Sequence, residues 1–306
     1  MSSQALEREP LPLLDSAFTQ PANEVSDGDR WLAKFAGQFN GVDGRTYMGK
    51  TQHYGPLRVQ RPFFPEGQDC LHFYLLHPPG GLVGGDKLSI QLHATESAHL
   101  LMTTPSAGKI YRNITGHKQG QFVDIQVDDN AIVEYLPQEN IVFNAANGQL
   151  NTQVDIYGSG VFIGWEITCL GRYESGDHFE QGQLHQTLMI RHDDRPLFND
   201  RFILNAPSDL QTGRAGLQKF NVFATFIINR DVMNSKLEEE LAEWQRTINE
   251  TMAPAMIALT QKPNVFIARM LADKSEQVKN TFEELWTRLR PEVIGKQAMA
   301  PRIWRT

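Results

Sequence analysis

Cysteine is nearly missing from this chain: Cys70 and Cys169 are the two thiols in 306 residues, far apart and in no C-x-x-C pair. A disulfide framework is therefore excluded as an organising device, and a reducing compartment is the expected home. Both thiols are read as buried side chains packing as small hydrophobes, with a thiolate metal ligand as the sharper alternative. Long apolar runs are missing too. None reaches the ~18 residues that a membrane span needs. Met1 to Phe18 carries Glu7, Arg8, Glu9 and Asp15 and no unbroken apolar core, so no secretory signal is expected. The expectation is a soluble, cytoplasmic protein without a membrane partner. Positive charge is in deficit, with 29 Lys and Arg against 36 Asp and Glu and a net charge of −7. A nucleic-acid partner would usually demand a basic face. The acidic balance instead permits cationic partners, metal ions included.

Several catalytic signatures are also absent. Gly80-x-x-x-x-Gly85 precedes a lysine, but Asp86 intervenes and Leu88 stands where a phosphate-binding loop needs a hydroxyl. A carboxylate there would repel phosphate, and a strand follows instead of a helix. Gly158-Ser159-Gly160 lacks the Gly-x-Ser-x-Gly spacing of a nucleophile elbow and reads as a turn. No His-Glu-x-x-His occurs, and the histidines form no compact His/Cys set. His72 and His77 fall on opposite faces by strand alternation, and His178, His185 and His192 have the same parity problem. The chain is expected not to be an enzyme.

What the sequence does have is a Gly/Pro-dense stretch from His77 to Leu88. Pro78, Pro79, Gly80, Gly81, Gly84 and Gly85 exclude a helix interior or a central strand there. Leu71–His77 before it reads as a strand. From Asp86 to His93, Leu88, Ile90 and Leu92 alternate with Lys87, Ser89 and Gln91, which is a second strand. The stretch is thus a fixed turn between buried strands. Residues 1–29 are polar, contain Pro10, Pro12 and Pro21, and are expected to be a disordered arm. Residues 30–306 show no linker and are expected to form one domain. Trp31–Phe39 and Arg45–His53 read as strands about an Asn40–Gly44 turn, and Leu57–Phe64 as another. A strand–turn–strand unit then recurs: 85–92 with 98–101, 120–127 with 131–133, and 148–156 with 161–163. This spacing suggests stacked hairpins on one extended core. Leu184–Arg191, Pro196–Leu204, Phe220–Ile228, Met256–Leu259 and Val265–Leu271 complete the strands. Helix comes late. Ser235-x-x-Glu238 has a capping pattern, and Leu237, Leu241, Trp244 and Ile248 share one face. Val278, Phe282, Leu285 and Leu289 form a second helical face, ended by Pro291. The fold class is mainly β, an elongated, stacked, β-helical-like architecture with two short helices in the C-terminal half. The tail Pro301-Arg302-Ile303-Trp304 is apolar and basic and is expected to dock.

Carboxylates beside apolar stretches are the remaining chemistry: Asp86, Glu134 within a strand, Glu139, Glu166 and Asp177. A buried carboxylate is costly unless it is paired, hydrogen-bonded, or facing water or a metal. Each can serve as an acceptor for backbone amides at a turn. Together they could line one polar passage, whose oxygen ligands hold divalent ions weakly and release them.

Arg61-Pro-Phe-Phe-Pro-Glu-Gly67, His77 to Asp86, Leu101 to Arg112, Leu136-Pro-Gln-Glu139, Phe162-Ile-Gly-Trp-Glu166 with Leu170-Gly-Arg172, and the closing Leu289-Arg-Pro291 and Pro301-Arg-Ile-Trp304 resemble the urease accessory protein family UreD, also called UreH. The likeness covers residues ~30–306. Asp177 stands where the family more often has Glu, and Ser106-Ala-Gly where Gly-Ala-Thr is commoner. The resemblance implies a mainly β, elongated fold and a non-enzymatic role in urease maturation. It implies a UreF-type partner, a UreG-type GTPase reached through the complex, and docking on apo-urease. It also implies transient Ni²⁺, with no tightly bound cofactor. By position, Asp86, Glu139, Glu166 and Asp177 become the passage-lining residues, and Trp304 and Arg302 the guess for partner binding. Two rival readings stand beside it. One is a purely structural adaptor without metal traffic, and the other a hydrolase using two of the carboxylates as acid and base.

Overall fold

The computed structural model describes residues 31–113 and 115–305, so the expected N-terminal arm lies outside the described residues. The chain opens with an antiparallel hairpin of β1 (Leu32–Val42) and β2 (Arg45–Tyr54). Asp43 and Gly44 take the two left-handed positions its turn requires. A two-residue β3 (Arg58–Val59) leads to β4 (Cys70–Leu76). The strand expected over Leu57–Phe64 shrinks to β3 because Pro62 and Pro65 cannot donate to a ladder. Next come β5 (Lys87–Ala94), β6 (His99–Thr103), β7 (Gly108–Ile110), β8 (Gln119–Val127), β9 (Ile132–Tyr135), β10 (Asn140–Val142), β11 (Asn147–Ile156) and β12 (Val161–Arg172). After a two-residue β13 (Asp177–His178), β14 (Gly182–His192) and β15 (Arg195–Ala206) form a second hairpin. A four-residue α1 (Asp209–Thr212) precedes β16 (Val222–Ile228), α2 (Ser235–Thr251), β17 (Met256–Lys262), β18 (Val265–Ala272) and α3 (Ser275–Ile294).

The strands form two sheets. One runs β15-β14-β11-β8-β5-β1-β2, the other β17-β18-β16-β12-β9-β6-β4-β3 with β7, β10 and β13 attached. The repeated units are not hairpins. Within each, the first strand lies in one sheet and the second in the other. Equivalent strands of successive units pair in parallel: β5 with β8, β8 with β11, β6 with β9, and β9 with β12. The chain is therefore a β-solenoid of about four turns. A hairpin needs a turn that folds a strand back onto its own edge. Here each corner sends the chain across to the facing sheet, with a left-handed residue at Ser97, Asn130 or Gly158. The corners stack, because Asp129 accepts from the Ser159 amide at 2.7 Å, and Asp193 from the Gly158 amide at 3.1 Å.

Alternation decides which layer each side chain enters. In β11 every second residue is buried, from Gly148 to Ile156, and the others half-face solvent. Leu71, Phe73, Leu100, Met102, Val133 and Phe162 fill the space between the sheets. The opposite face of the second sheet, with Ile163, Trp165, Ile167 and Phe226, packs under α2 and α3. Hence β12 is buried on both faces along nearly its whole length. The predicted helical faces hold: Leu237, Leu241, Trp244 and Ile248 are buried on α2, and Val278, Phe282, Leu285 and Leu289 on α3. Two boundaries differ. The cap of α2 is Asn234, whose side chain accepts from the Leu237 amide at 3.0 Å, so Ser235 is the first helical residue. The helix α3 passes through Pro291 and stops at Gly295, a left-handed residue whose amide bonds the Pro291 carbonyl. At 17 and 20 residues, neither helix is short. No helix among the described residues is long and apolar enough to cross a membrane.

The His77–Leu88 stretch links β4 of one sheet to β5 of the other. Turns close at His77–Gly80 and Val83–Asp86, and Leu82 exchanges backbone bonds with Lys109 and Tyr111 of the next coil. A Cβ on Gly81 would sit 2.4 Å from the Tyr111 ring and 2.9 Å from the Lys109 carbonyl oxygen. Replacing Gly81 by Ala should lower stability by ~1–3 kcal/mol, the usual cost of overpacking. Urea unfolding should show a lower midpoint with an unchanged slope.

Candidate functional site: buried carboxylates of the solenoid

The structure distributes the sequence-predicted carboxylates among different surroundings. Asp86 is buried, and its two oxygens accept the backbone amides of Trp31 at 3.0 Å and Val83 at 2.9 Å. It therefore closes the Gly-rich loop and ties it to the start of β1. Glu139 accepts from the Ser275 hydroxyl at 3.2 Å and faces Lys279 at 4.0 Å, which joins the end of β9 to the first turns of α3. Asp177 stands 3.6 Å from the Arg172 guanidinium in a cavity of about 370 Å³, lined also by Arg112, Phe143 and Gln181. Glu139 Oε2 and Asp177 Oδ2 are buried atoms with no hydrogen-bond partner among the described residues.

Glu166 is the carboxylate that enters the sandwich. Strand alternation turns Ile163, Trp165 and Ile167 toward the helices and Glu166 toward the facing sheet. There its oxygens accept from the Thr152 hydroxyl at 2.5 Å and the Gln186 amide at 2.9 Å. The Gln186 carbonyl in turn accepts from Thr168 at 2.8 Å. Burial pushes the Glu166 carboxyl above the usual carboxylate range, the two hydrogen bonds oppose this, and the charge of Asp200 adds to it. Glu166 and Asp200 line one cavity of about 430 Å³, whose walls include Leu188, Phe202, Phe223 and Met270. Asp200 pairs there with Arg269 at 2.9 Å. Cys169 is buried, and its thiol is pushed up to about 12 by burial and by Glu139.

Of the carboxylates in a second polar centre, the sequence reading singled out only Glu134. Contrary to the expectation of no compact His/Cys set, Glu66, Cys70, His72, His99 and Glu134 converge on the face of the second sheet under α3. Register explains it. Cys70 pairs with His99 across β4 and β6, while His72, Leu101 and Glu134 share the rung two residues on. From α3, Trp286 and Arg290 reach down at i, i+4 spacing. Arg290 donates to Glu134 at 2.8 and 3.0 Å and to Glu66 at 2.6 and 2.9 Å. Trp286 Nε1 donates to Glu134 Oε2 at 2.7 Å. His99 stands 2.8 Å from Glu134, and His72 2.7 Å from Glu66. The alternation of Leu71, Phe73 and Leu75 against Cys70, His72 and Tyr74 was the available signal. No local pattern announced Arg290, which lies 156 residues beyond Glu134.

Two overlapping triads, Glu66–Cys70–His72 and Cys70–His99–Glu134, have ligand atoms within 4.8 Å of one another. Burial opposes ionisation of Glu134, but the hydrogen bonds and charges of His99 and Arg290 outweigh it and hold the carboxyl at about 2. Burial likewise opposes Glu66, and His72 and Arg290 hold it below its ordinary range. Burial, then the charges of Glu134 and Glu66, push the Cys70 thiol far up.

The tail docks as expected. Trp304 Nε1 donates to Thr103 at 2.9 Å, and its ring packs 5.4 Å from Trp165 and 5.8 Å from Trp286. The indole is thus engaged within the chain, whereas Arg302 is exposed.

Fold and site together define a helix-backed β-solenoid that carries buried carboxylates. Comparison with known proteins narrows this. The model of the family described as UreD urease accessory protein matches residues 33–305. A urease accessory protein UreD of Saccharophagus degradans is 41% identical over 264 residues, 86% of this chain and 88% of its own. One from Alcanivorax borkumensis is 39% identical over 90% of this chain and 92% of its own, and one from Psychromonas ingrahamii 33% over 96% and 100%. The chain belongs to the UreD family of urease accessory proteins.

The depressed Glu134 carboxyl has a consequence for acid stability. A carboxylate held at about 2 in the folded state, against ~4.3 unfolded, contributes roughly 3 kcal/mol that is fully present above the unfolded value and lost as pH falls through the folded one. Stability should therefore decline between about pH 4.5 and 2. Glu134→Gln should be destabilised at neutral pH and show a shallower decline, measured by urea unfolding across that range.

Proposed function

We propose that the protein is a urease maturation factor that bridges apo-urease to a UreF-type partner and a UreG-type GTPase, and that its interior offers Ni²⁺ an acidic passage toward the urease active site. The names and extent of the relatives support the accessory role. The observation that carries the passage is Glu166, a carboxylate half-buried between the sheets and bordering the cavity it shares with Asp200. The cavity lining mixes apolar side chains with the oxygens of Glu166 and Asp200 and the guanidiniums of Arg201 and Arg269, and oxygen donors suit an ion in transit because they bind nickel less tightly than imidazole and thiolate do. Burial disfavours the bare charge of this carboxyl, a cost that an arriving cation relieves. Nickel is cargo in this scheme, with no tightly bound cofactor. Glu139 and Asp177, each with an unsatisfied buried oxygen, are offered as further stations for the ion, although Asp177 lines a cavity separate from that of Glu166. Asp86 serves by fixing the loop. Arg302, exposed on the docked tail, is offered for partner contact.

Glu166→Gln tests this reading. A raised carboxyl costs stability once pH exceeds its unfolded value, and that cost is complete above the folded one. The amide removes it, so the melting temperature at pH 7 should be equal or higher. Nickel-dependent urease activation by the assembled complex should fall at least about tenfold, which is a barrier of ~1.4 kcal/mol. Unimpaired activation by a variant that still assembles would end the passage.

A further inference from the structure

The Arg290 cluster plays no part in the proposed passage, and its charges need explaining. Glu66 and Glu134 are held ionised, Arg290 supplies one positive charge, and a buried net charge is strongly disfavoured. Asp69 and Lys296 beside the cluster pair with each other at 2.7 Å, and Cys70 is held as the neutral thiol. The imidazoles of His72 and His99 each stand within hydrogen-bond distance of one of these carboxylates.

We propose that this cluster is a divalent-metal site held shut by Arg290, in which Cys70 Sγ, His99 Nε2 and Glu134 Oε1 become ligands when the guanidinium withdraws. Three observations carry it. The sulfur, nitrogen and oxygen donors already converge: Cys70 Sγ lies 3.5 Å from His99 Nε2, which lies 2.8 Å from Glu134 Oε1. Tetrahedral zinc, with bonds of ~2.0–2.3 Å, sets its ligand atoms roughly 3.3–3.8 Å apart, so small shifts suffice. The guanidinium occupies the ground a metal would need, bridging both carboxylates and reaching to 3.8 Å from the sulfur. Finally, His72 is fully buried, yet its Nδ1 has no hydrogen-bond partner among the described residues. That is an unused donor atom within the same cluster. A mixed thiolate, imidazole and carboxylate set selects zinc, cobalt or nickel over magnesium and calcium. On binding, the metal takes the place of the guanidinium and its positive charge. The thiol proton also leaves to solvent as the Cys70–metal bond forms.

Cobalt(II) titration of the full chain and its Arg290→Met variant tests the proposal, because thiolate ligation of cobalt gives a charge-transfer absorption that oxygen and nitrogen ligands do not. The variant should take up one Co²⁺ per chain with that absorption, at least about tenfold more tightly than the wild type. The absorption should vanish when Cys70→Ser is added. If Arg290→Met does not fold alone, it should fold when refolded with Co²⁺, since metal binding then supplies folding free energy. The proposal fails if the variant neither binds nor is rescued, if the absorption survives Cys70→Ser, or if the wild type binds equally well. Because the readout is spectroscopic, its failure leaves the Glu166 passage untouched.

Discussion

The ionic contact of Arg290 with Glu134 and Glu66 is the constraint on which the arrangement of the second sheet and its helical cover depends. It ties α3 to strands more than 150 residues earlier in the chain. Apolar packing alone would let a helix slide on a sheet at small cost. A guanidinium engaging two carboxylates at once fixes both rotation and height, because the fork geometry admits few alternatives. Around that anchor the large aromatics take defined places: Trp286 donates to the same Glu134, Trp304 closes over Trp286 and Trp165, and Phe226 and Phe282 pack beneath. Breaking one partner would leave a buried charge uncompensated, which is why such a network specifies a single seating.

The two polar centres differ in a way that matters chemically. The Arg290 cluster has its carboxylates paired with a guanidinium and their oxygens engaged in hydrogen bonds. The Glu166 carboxyl has neutral donors, no opposing charge among its contacts, and an open cavity beside it. The first is a stabilised arrangement, and the second is maintained against a desolvation penalty that an amide or a leucine would avoid. They lie on opposite faces of the same sheet because β12 and its neighbours alternate, so one solenoid wall serves a rigid helical layer on one side and a polar interior on the other.

Much of this was legible in the sequence. The alternation in β5, β8 and β11, the late helical faces and the Gly/Pro-dense loop each followed from local periodicity and turn chemistry, and the ordered motifs pointed to the family. The corners were recognised as turns, but whether a turn returns to its own strand or crosses to another sheet depends on long-range pairing that the residues of the turn do not encode. The same limit applies to the site. Cys70, His99 and Glu134 are scattered over 65 positions and meet only through parallel register. Arg290 sits in a helix whose apolar face drew attention to its neighbours instead. Asp86 illustrates the converse: a carboxylate after a Gly-Gly turn is as suited to accepting two amides as to lining a channel, and its surroundings use it for the former.

The parallel coils of this solenoid end, at both sides of both sheets, in strands that run the other way: β2 and β15 in one, β3 and β17 in the other. A second molecule approaching either end meets a reversed strand and cannot continue the parallel register of the coils. On β2 it also meets Arg45 and Lys50 on an edge where charge discourages pairing. Growth into a fibre, the standing hazard of any stack of in-register strands, would have to begin on a strand that runs against the coils and, on β2, past charged side chains.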